Sequence, residues 1–262
     1  MYSVSSGFEG FALNCTAPKE TSLGTLGATR PLQRVVVSPT GDVGFFTIDG
    51  AGALGVGRFV ADSTGTPTLT AMENGPTQSG GLVLDATHKQ LFLTGQSTLW
   101  SYALANDLSI TGATMGVLGC ATPAAVDIEG DTVFEFCADS PIVRTFSRSP
   151  LAAGADAGSV GAADIERPLP GGAALIARST PPSLALVNLT IPVNVLDSIV
   201  LADRLTALAA SADGTFAVTA VTSGTQTVLD LYSVEAASLH HLATSTIVGT
   251  VTGAAITGPL TP

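Results

Sequence analysis

The stretch Val37-Ser38-Pro39-Thr40-Gly41-Asp42-Val43-Gly44-Phe45-Phe46 decides the fold. An apolar run ends in a polar turn, and a second apolar run leaves it at once. Gly supplies the positive φ that such a turn demands, and Asp bonds its own backbone. The turn returns about every 41 to 48 residues, as Thr87-His88-Lys89, Glu129-Gly130-Asp131, Pro170-Gly171-Gly172 and Ser211-Ala212-Asp213-Gly214. Such a period between β-like runs is the signature of a propeller or solenoid, in which each repeat is one supersecondary unit.

Each repeat reads as four strands. In 29–75 they run over 34–39, 43–49, 54–62 and 67–73, and the same frame fits 76–118, 119–162, 163–202 and 203–250. The outermost strand of 119–162 is expected near 158–162. The two ends complete a sixth repeat: the tail 251–262 supplies an innermost strand and the head 1–28 the other three. Closing the ring this way leaves only short, protected edges. The expectation is an all-β, six-bladed β-propeller of four-stranded antiparallel blades in one domain, 1–262. Its rivals are a seven-bladed fragment and a β-sandwich, which even strand spacing alone would suit.

Composition agrees with β structure. Val, Thr, Leu and Ala abound beside 29 Gly and 15 Pro, and long helical periodicity is absent. Ten basic residues face 21 acidic ones, a net charge of −11. That balance repels phosphate backbones and anionic membrane surfaces, so nucleic acid is not expected as a partner. No apolar run reaches bilayer-spanning length, so no membrane insertion is expected. The chain opens on a strand-like run, without a signal peptide.

Val37 to Phe46, and Ala210-Ser211-Ala212-Asp213-Gly214-Thr215-Phe216-Ala217-Val218, resemble the Ser-Pro-Asp-Gly turn of YVTN and lactonase-like β-propellers. Thr98-Leu99-Trp100-Ser101-Tyr102-Ala103-Leu104 and Thr227 to Val234 are similar to that family's apolar third strand. The Tyr-Val-Thr-Asn tetrapeptide and the WD40 Trp-Asp dipeptide are both missing. The resemblance implies architecture alone. In that fold ligands meet the face built by blade-to-blade connections and second-to-third-strand loops.

Arg30, Arg34, Glu73, Asn74, Asp139, Glu166, Arg167, Asp203 and Arg204 are the candidate ligand-binding residues on that face. Arg30, Arg167 and Arg204 each stand near the start of an innermost strand. Guanidinium forks there could hold an acidic ligand, or pair with Glu166, Asp203 and their like to tie neighbouring blades. Asp85, Asp127 and Glu129 fall on or beside innermost strands, where a calcium ion would need six or more converging oxygens; a solvated lining is the alternative. His88, His240 and His241 have no triad-like or zinc-like spacing. No catalytic residue is assigned. Cys120 precedes an innermost strand and Cys137 ends the next, so a hairpin turning at Gly130-Asp131 brings them near each other. They form a disulfide in an oxidising compartment, or remain two buried thiols. Cys15 has no evident mate.

The functional expectation is a non-enzymatic binding or scaffold propeller, a monomer, bacterial and extracellular or periplasmic. It presents one loop face to a protein, glycan or small molecule, with no cofactor other than calcium in view. The alternatives are a lactonase-like metal-dependent hydrolase and a structural spacer domain of a longer exported protein.

Overall fold

A computed structural model describes residues 2–4, 8–13, 20–26, 32–48, 55–63, 66–76, 79–211 and 213–251. The described elements are strands joined by turns. The head forms a three-stranded sheet, β1 (Tyr2–Val4), β2 (Phe8–Leu13) and β3 (Glu20–Leu26). Five four-stranded sheets follow, each in simple up-and-down order. They are β4 (Leu32–Val37), β5 (Val43–Ile48), β6 (Val56–Ala61) and β7 (Pro67–Glu73); then β8 (Ser79–Asp85), β9 (Gln90–Gly95), β10 (Thr98–Leu104) and β11 (Ile110–Leu118). Next come β12 (Pro123–Glu129), β13 (Thr132–Cys137), β14 (Ile142–Ser147) and β15 (Ala152–Ser159), then β16 (Ile165–Leu169), β17 (Ala173–Ser179), β18 (Pro182–Asn188) and β19 (Asn194–Val200). The last sheet holds β20 (Ala207–Ala210), β21 (Phe216–Ser223), β22 (Gln226–Glu235) and β23 (Ser238–Val248).

This corrects the expected six blades to five. The head makes a sheet of three strands, and the tail 252–262, where the completing strand was expected, lies outside the described residues. The outermost strand expected at 158–162 runs instead over Ala152–Ser159. Its Ala- and Gly-rich sequence has little β propensity of its own, so pairing places it.

The chain divides into two compact units, 1–128 with 149–153, and 129–148 with 154–262. In the first, β5 and β9 are buried along nearly their whole length on both faces. Their near-continuous apolar sequences follow from that, since neither face meets water. Phe45, Val56, Leu91, Leu93 and Tyr102 form the centre of one cluster. Phe46 and Phe59 form another, with ring centroids 6.5 Å apart. Register explains the pair: Gly44 faces Phe59 and Phe46 faces Gly57, so each ring lies over a cross-strand glycine. A Cβ on Gly44 would fall 2.3 Å from the Phe59 ring, and one on Gly57 2.2 Å from Phe46.

In the second unit Leu175, Leu184, Leu186, Leu208 and Tyr232 lie at the centre of the core. Burial falls off toward the outermost strands: β18 is buried along its middle five residues, whereas β19 and β23 are exposed over most of their length.

The recurring turn has one construction at its two best matches. Ser38 N–H donates to Val43 O at 2.7 Å, and Ser211 N–H to Phe216 O at 2.9 Å. Gly41 and Gly214 donate back to those serines' carbonyls, at φ of 80° and 72°. Each serine hydroxyl accepts from the first residue of the next strand and donates to the turn aspartate, Asp42 or Asp213. Both serines are buried, so this double use of the hydroxyl leaves no polar atom stranded. The weaker matches keep the positive φ, at Lys89, Gly130, Gly171 and Gly172.

Candidate functional site

Strand direction sorts the connections of every four-stranded sheet onto two edges. First-to-second and third-to-fourth turns share one edge; second-to-third turns and the links to the next sheet share the other. The second edge carries most of the expected ligand-binding residues.

In the second unit three connections of that edge are stitched together, two by backbone bonds and the third by an ion pair. Val160 N–H donates to Pro141 O at 3.0 Å and Ala163 N–H to Cys137 O at 2.8 Å, fixing the 160–164 link against the 138–141 turn. Asp164 N–H donates to Ala177 O at 2.8 Å, extending the β16–β17 ladder. Arg204 Nη2 then reaches Asp164 Oδ1 at 3.2 Å, joining the 201–206 link. The Arg204 side chain is 64% exposed and Asp164 13%, so the guanidinium keeps donors in solvent while it holds a sheltered carboxylate. Asp139 and Asp203 are exposed on the same connections, and Asp203 accepts from Arg204 N–H at 2.7 Å.

Two buried atoms here have no hydrogen-bond partner, Asp164 Oδ2 and Arg178 Nε. Arg178 lies against Gly161, where a Cβ would meet its Cδ at 2.7 Å, and its Nη2 donates to Ser198 Oγ at 3.0 Å. Burial works against its charge. Asp164 is a polar residue expected on this face, whereas Arg178 was not expected there. Arg178 lies near the end of a second strand, away from the first strands where arginines were expected.

The remaining arginines serve as staples. Arg167 Nε donates to Leu208 O at 2.9 Å and its Nη1 to Glu166 O at 2.7 Å, linking β16 to the neighbouring innermost strand β20. Burial lowers its pKa, and Glu166 opposes that shift. Glu166 itself is 5% exposed. In the first unit Arg34 Nε donates to Gly80 O, also at 2.9 Å, linking β4 to β8. Arg34 and Arg167 thus each reach a carbonyl of the neighbouring blade, and Arg204 reaches the Asp164 carboxylate. Arg30 lies outside the described residues.

Glu73 and Asn74 contribute carbonyls. Glu73 O accepts from Gly55 N–H at 3.1 Å, and Asn74 O accepts the Tyr102 hydroxyl at 2.7 Å. Burial, with the Glu73 charge behind it, pushes the Tyr102 pKa up and keeps that hydroxyl a donor. Arg58, inside the apolar run 56–60, was not among the residues expected here. Only 8% exposed, it donates to Leu108 O at 2.9 Å, Thr70 Oγ1 at 2.8 Å and Asp107 O at 2.6 Å.

Among the expected metal ligands, Asp85 is taken by His88, through its backbone N–H at 2.9 Å and Nδ1 at 2.8 Å. Asp127 is buried and accepts from Ile128 N–H at 2.7 Å; the Glu129 carboxyl lies near Gly172, where a Cβ would meet it at 3.1 Å. Among the described residues no three His, Cys, Asp or Glu side chains gather to hold a metal ion. Cys120 and Cys137 are both buried and both disulfide-bonded. His241 Nε2 meets Asp230 Oδ1 at 3.1 Å and Thr244 Oγ1 at 3.0 Å. Both partners share one ring nitrogen, so this is not the relay geometry of a triad, which needs the two nitrogens in series.

No family model and no curated relative matches the chain. Solved structures do. A protein from Lactobacillus plantarum is 15% identical with a TM-score of 0.75, over 96% of this chain and 83% of its own. A candidate 6-phosphogluconolactonase from Bacteroides uniformis is 13% identical with a TM-score of 0.72, over 95% and 82%. The WD40 repeats of RRP9 are 14% identical with a TM-score of 0.69, over 96% and 81%. At such identities the likeness shows the fold alone: a β-propeller, here with five four-stranded blades.

Proposed function

We propose that this propeller is a binding or scaffold module, and that the stitched edge of its second unit is where a polar partner docks. The observation carrying the reading is the Asp164–Arg204 pair on backbone-fixed connections, with Asp139 and Asp203 exposed beside it. Fixed connections need little ordering on binding, and a guanidinium with donors still in solvent can grip a carboxylate or a hydroxyl pair. A protein segment or glycan fits that chemistry. The disulfide-bonded cysteines support work in an oxidising compartment, extracellular or periplasmic.

The test is thermal unfolding with calcium, with chelator, and with panels of sugars, lactones and acidic peptides, on the native protein and on Arg204→Ala. A ligand at about 100 times its Kd adds roughly 2.7 kcal/mol to the folded state, which moves a melting curve visibly. A shift from a sugar or peptide that Arg204→Ala abolishes supports the reading. A calcium shift reversed by chelator, together with lactone turnover, replaces it with the hydrolase alternative.

A further inference from the structure

Outermost strands are unpaired on one side, and proteins blunt them with charge, Pro, Gly, bulges or cover. The described outermost strands mostly follow this. β7 starts at Pro67 and ends at Glu73, β15 carries Asp156 with Gly154 and Gly158, and β19 carries Asp197. β11 has no charge, but it contains Gly112 and Gly116, two register breaks, and Leu151 against Gly116.

β23 is different. It is the longest described strand, 11 residues, and holds no acid, Lys, Arg, Pro or Gly. Its one register break lies beside Leu242, which leaves Ala243 to Val248 in unbroken register with Leu231 to Gln226. That segment, Ala-Thr-Ser-Thr-Ile-Val, is rich in β-branched residues and exposed throughout, with Val248 at 86%. Gly249 N–H donates inward to Thr225 O, so alternation turns the backbone groups of Thr244, Thr246 and Val248 to the open side. At the far end the outward N–H of Leu239 is already taken, by Asp197 Oδ2 at 2.8 Å. Cover stops there.

Charge fixes where a second copy can approach. Two copies at −11 repel each other over most of their surface, and from residue 236 onward the sequence has no Asp, Glu, Lys or Arg. We propose that Ala243–Val248 of β23 pairs antiparallel with the same segment of a second copy, around a two-fold axis at Thr246. Outward residues then meet as Thr244 with Val248, Thr246 with Thr246, and Val248 with Thr244. Each such pair exchanges two backbone bonds, and no like charges stand opposite. A homodimer joined through one self-complementary patch is the commonest closed assembly, and here it replaces the monomer expected from sequence.

Sedimentation velocity over a concentration series tests this. The native protein is expected to pass from monomer to dimer as concentration rises. Thr246→Lys and Thr246→Asp each place like charges across the axis and weaken association roughly tenfold or more. Thr246 is exposed, so at dilutions where the native protein is monomeric both variants keep its melting curve, which checks that they fold. An equimolar mixture of the two variants, with opposite charges facing, is expected to restore the dimer. A native protein that stays monomeric overturns the proposal, as does association that Thr246→Lys leaves unchanged, or a mixture that fails to recover.

Discussion

Replacing Arg58 with Met is the sharpest probe of how the first unit holds together. Met keeps an apolar stem of similar reach, so the change removes the guanidinium fork while preserving most of the packing. Three hydrogen bonds disappear, to Leu108 O, Thr70 Oγ1 and Asp107 O. A bond made by a charged group contributes about 1.5–3 kcal/mol. Water can replace the fork at Thr70 and Asp107, which are exposed, but not readily at Leu108, which is 7% exposed. About 2 kcal/mol from the Leu108 carbonyl and about 1 kcal/mol from the other two give a loss near 3 kcal/mol. At about 2 °C per kcal/mol for a chain of this size, the melting temperature should fall by about 6 °C. Arg58→Lys keeps the charge but not the fork, and should recover less than half of the loss. Calorimetry of all three proteins at one concentration reads the shift. A fall below about 2 °C for Arg58→Met, with native circular dichroism, would refute the view that this fork is structural.

The same reasoning ranks the inner-strand staples. Arg167→Met should cost about 2 kcal/mol in denaturant unfolding, and Arg34→Met about 1–2 kcal/mol, because Arg34 is exposed but Gly80 is buried and water does not readily take its place at that carbonyl. Gly57→Ala forces its Cβ onto the Phe46 ring and should destabilise by about 1–3 kcal/mol; Gly57→Ala with Phe46→Leu should lose less than the sum of the two single changes. Hydrogen bonds led by Thr40 at Asp42, and by Ser211 at Asp213, hold both carboxyls below the usual carboxylate range. Their folded pKa values are depressed, so the stabilisation is present above the ordinary Asp value of about 4 and is lost as pH falls through the folded pKa. The Asp42→Asn, Asp213→Asn double variant should therefore lose less stability than the native protein between about pH 4 and pH 2, as melts across that range will read. Thiol titration of the unfolded, unreduced protein should find one reactive thiol per chain, because only Cys15 stands apart from the disulfide-bonded Cys120 and Cys137.

Local chemistry made much of the fold legible. A buried Ser, a positive-φ Gly and an Asp within four residues build one turn whatever surrounds them, and so Ser38–Asp42 and Ser211–Gly214 mark inner hairpins directly. Strands such as Leu91-Phe92-Leu93 announce burial on both faces. The blade count was less accessible, because it rested on joining two chain ends that share no local signal. Ala152–Ser159 was misplaced for a related reason, since its position comes from its neighbours in the sheet. The candidate site was legible as an edge but not as a set of contacts. Arginines on first strands drew notice because basic residues are scarce, yet nothing in the sequence announces that a guanidinium will choose a carbonyl. Arg58 was hidden inside the apolar run Val56-Gly57-Arg58-Phe59-Val60, and Arg178 behind the expectation that charges worth noting sit where strands begin.

The Arg34–Gly80 and Arg167–Leu208 bonds have a consequence for how this chain can drift. Each joins a side chain to a main-chain oxygen, which every amino acid carries. Only one partner can therefore be lost by substitution, and the other position can vary with no compensating change across the contact. Paired substitution, the usual footprint of residues that touch, would be missing at both joints. Blades held this way can diverge in sequence one at a time while the joints between them persist.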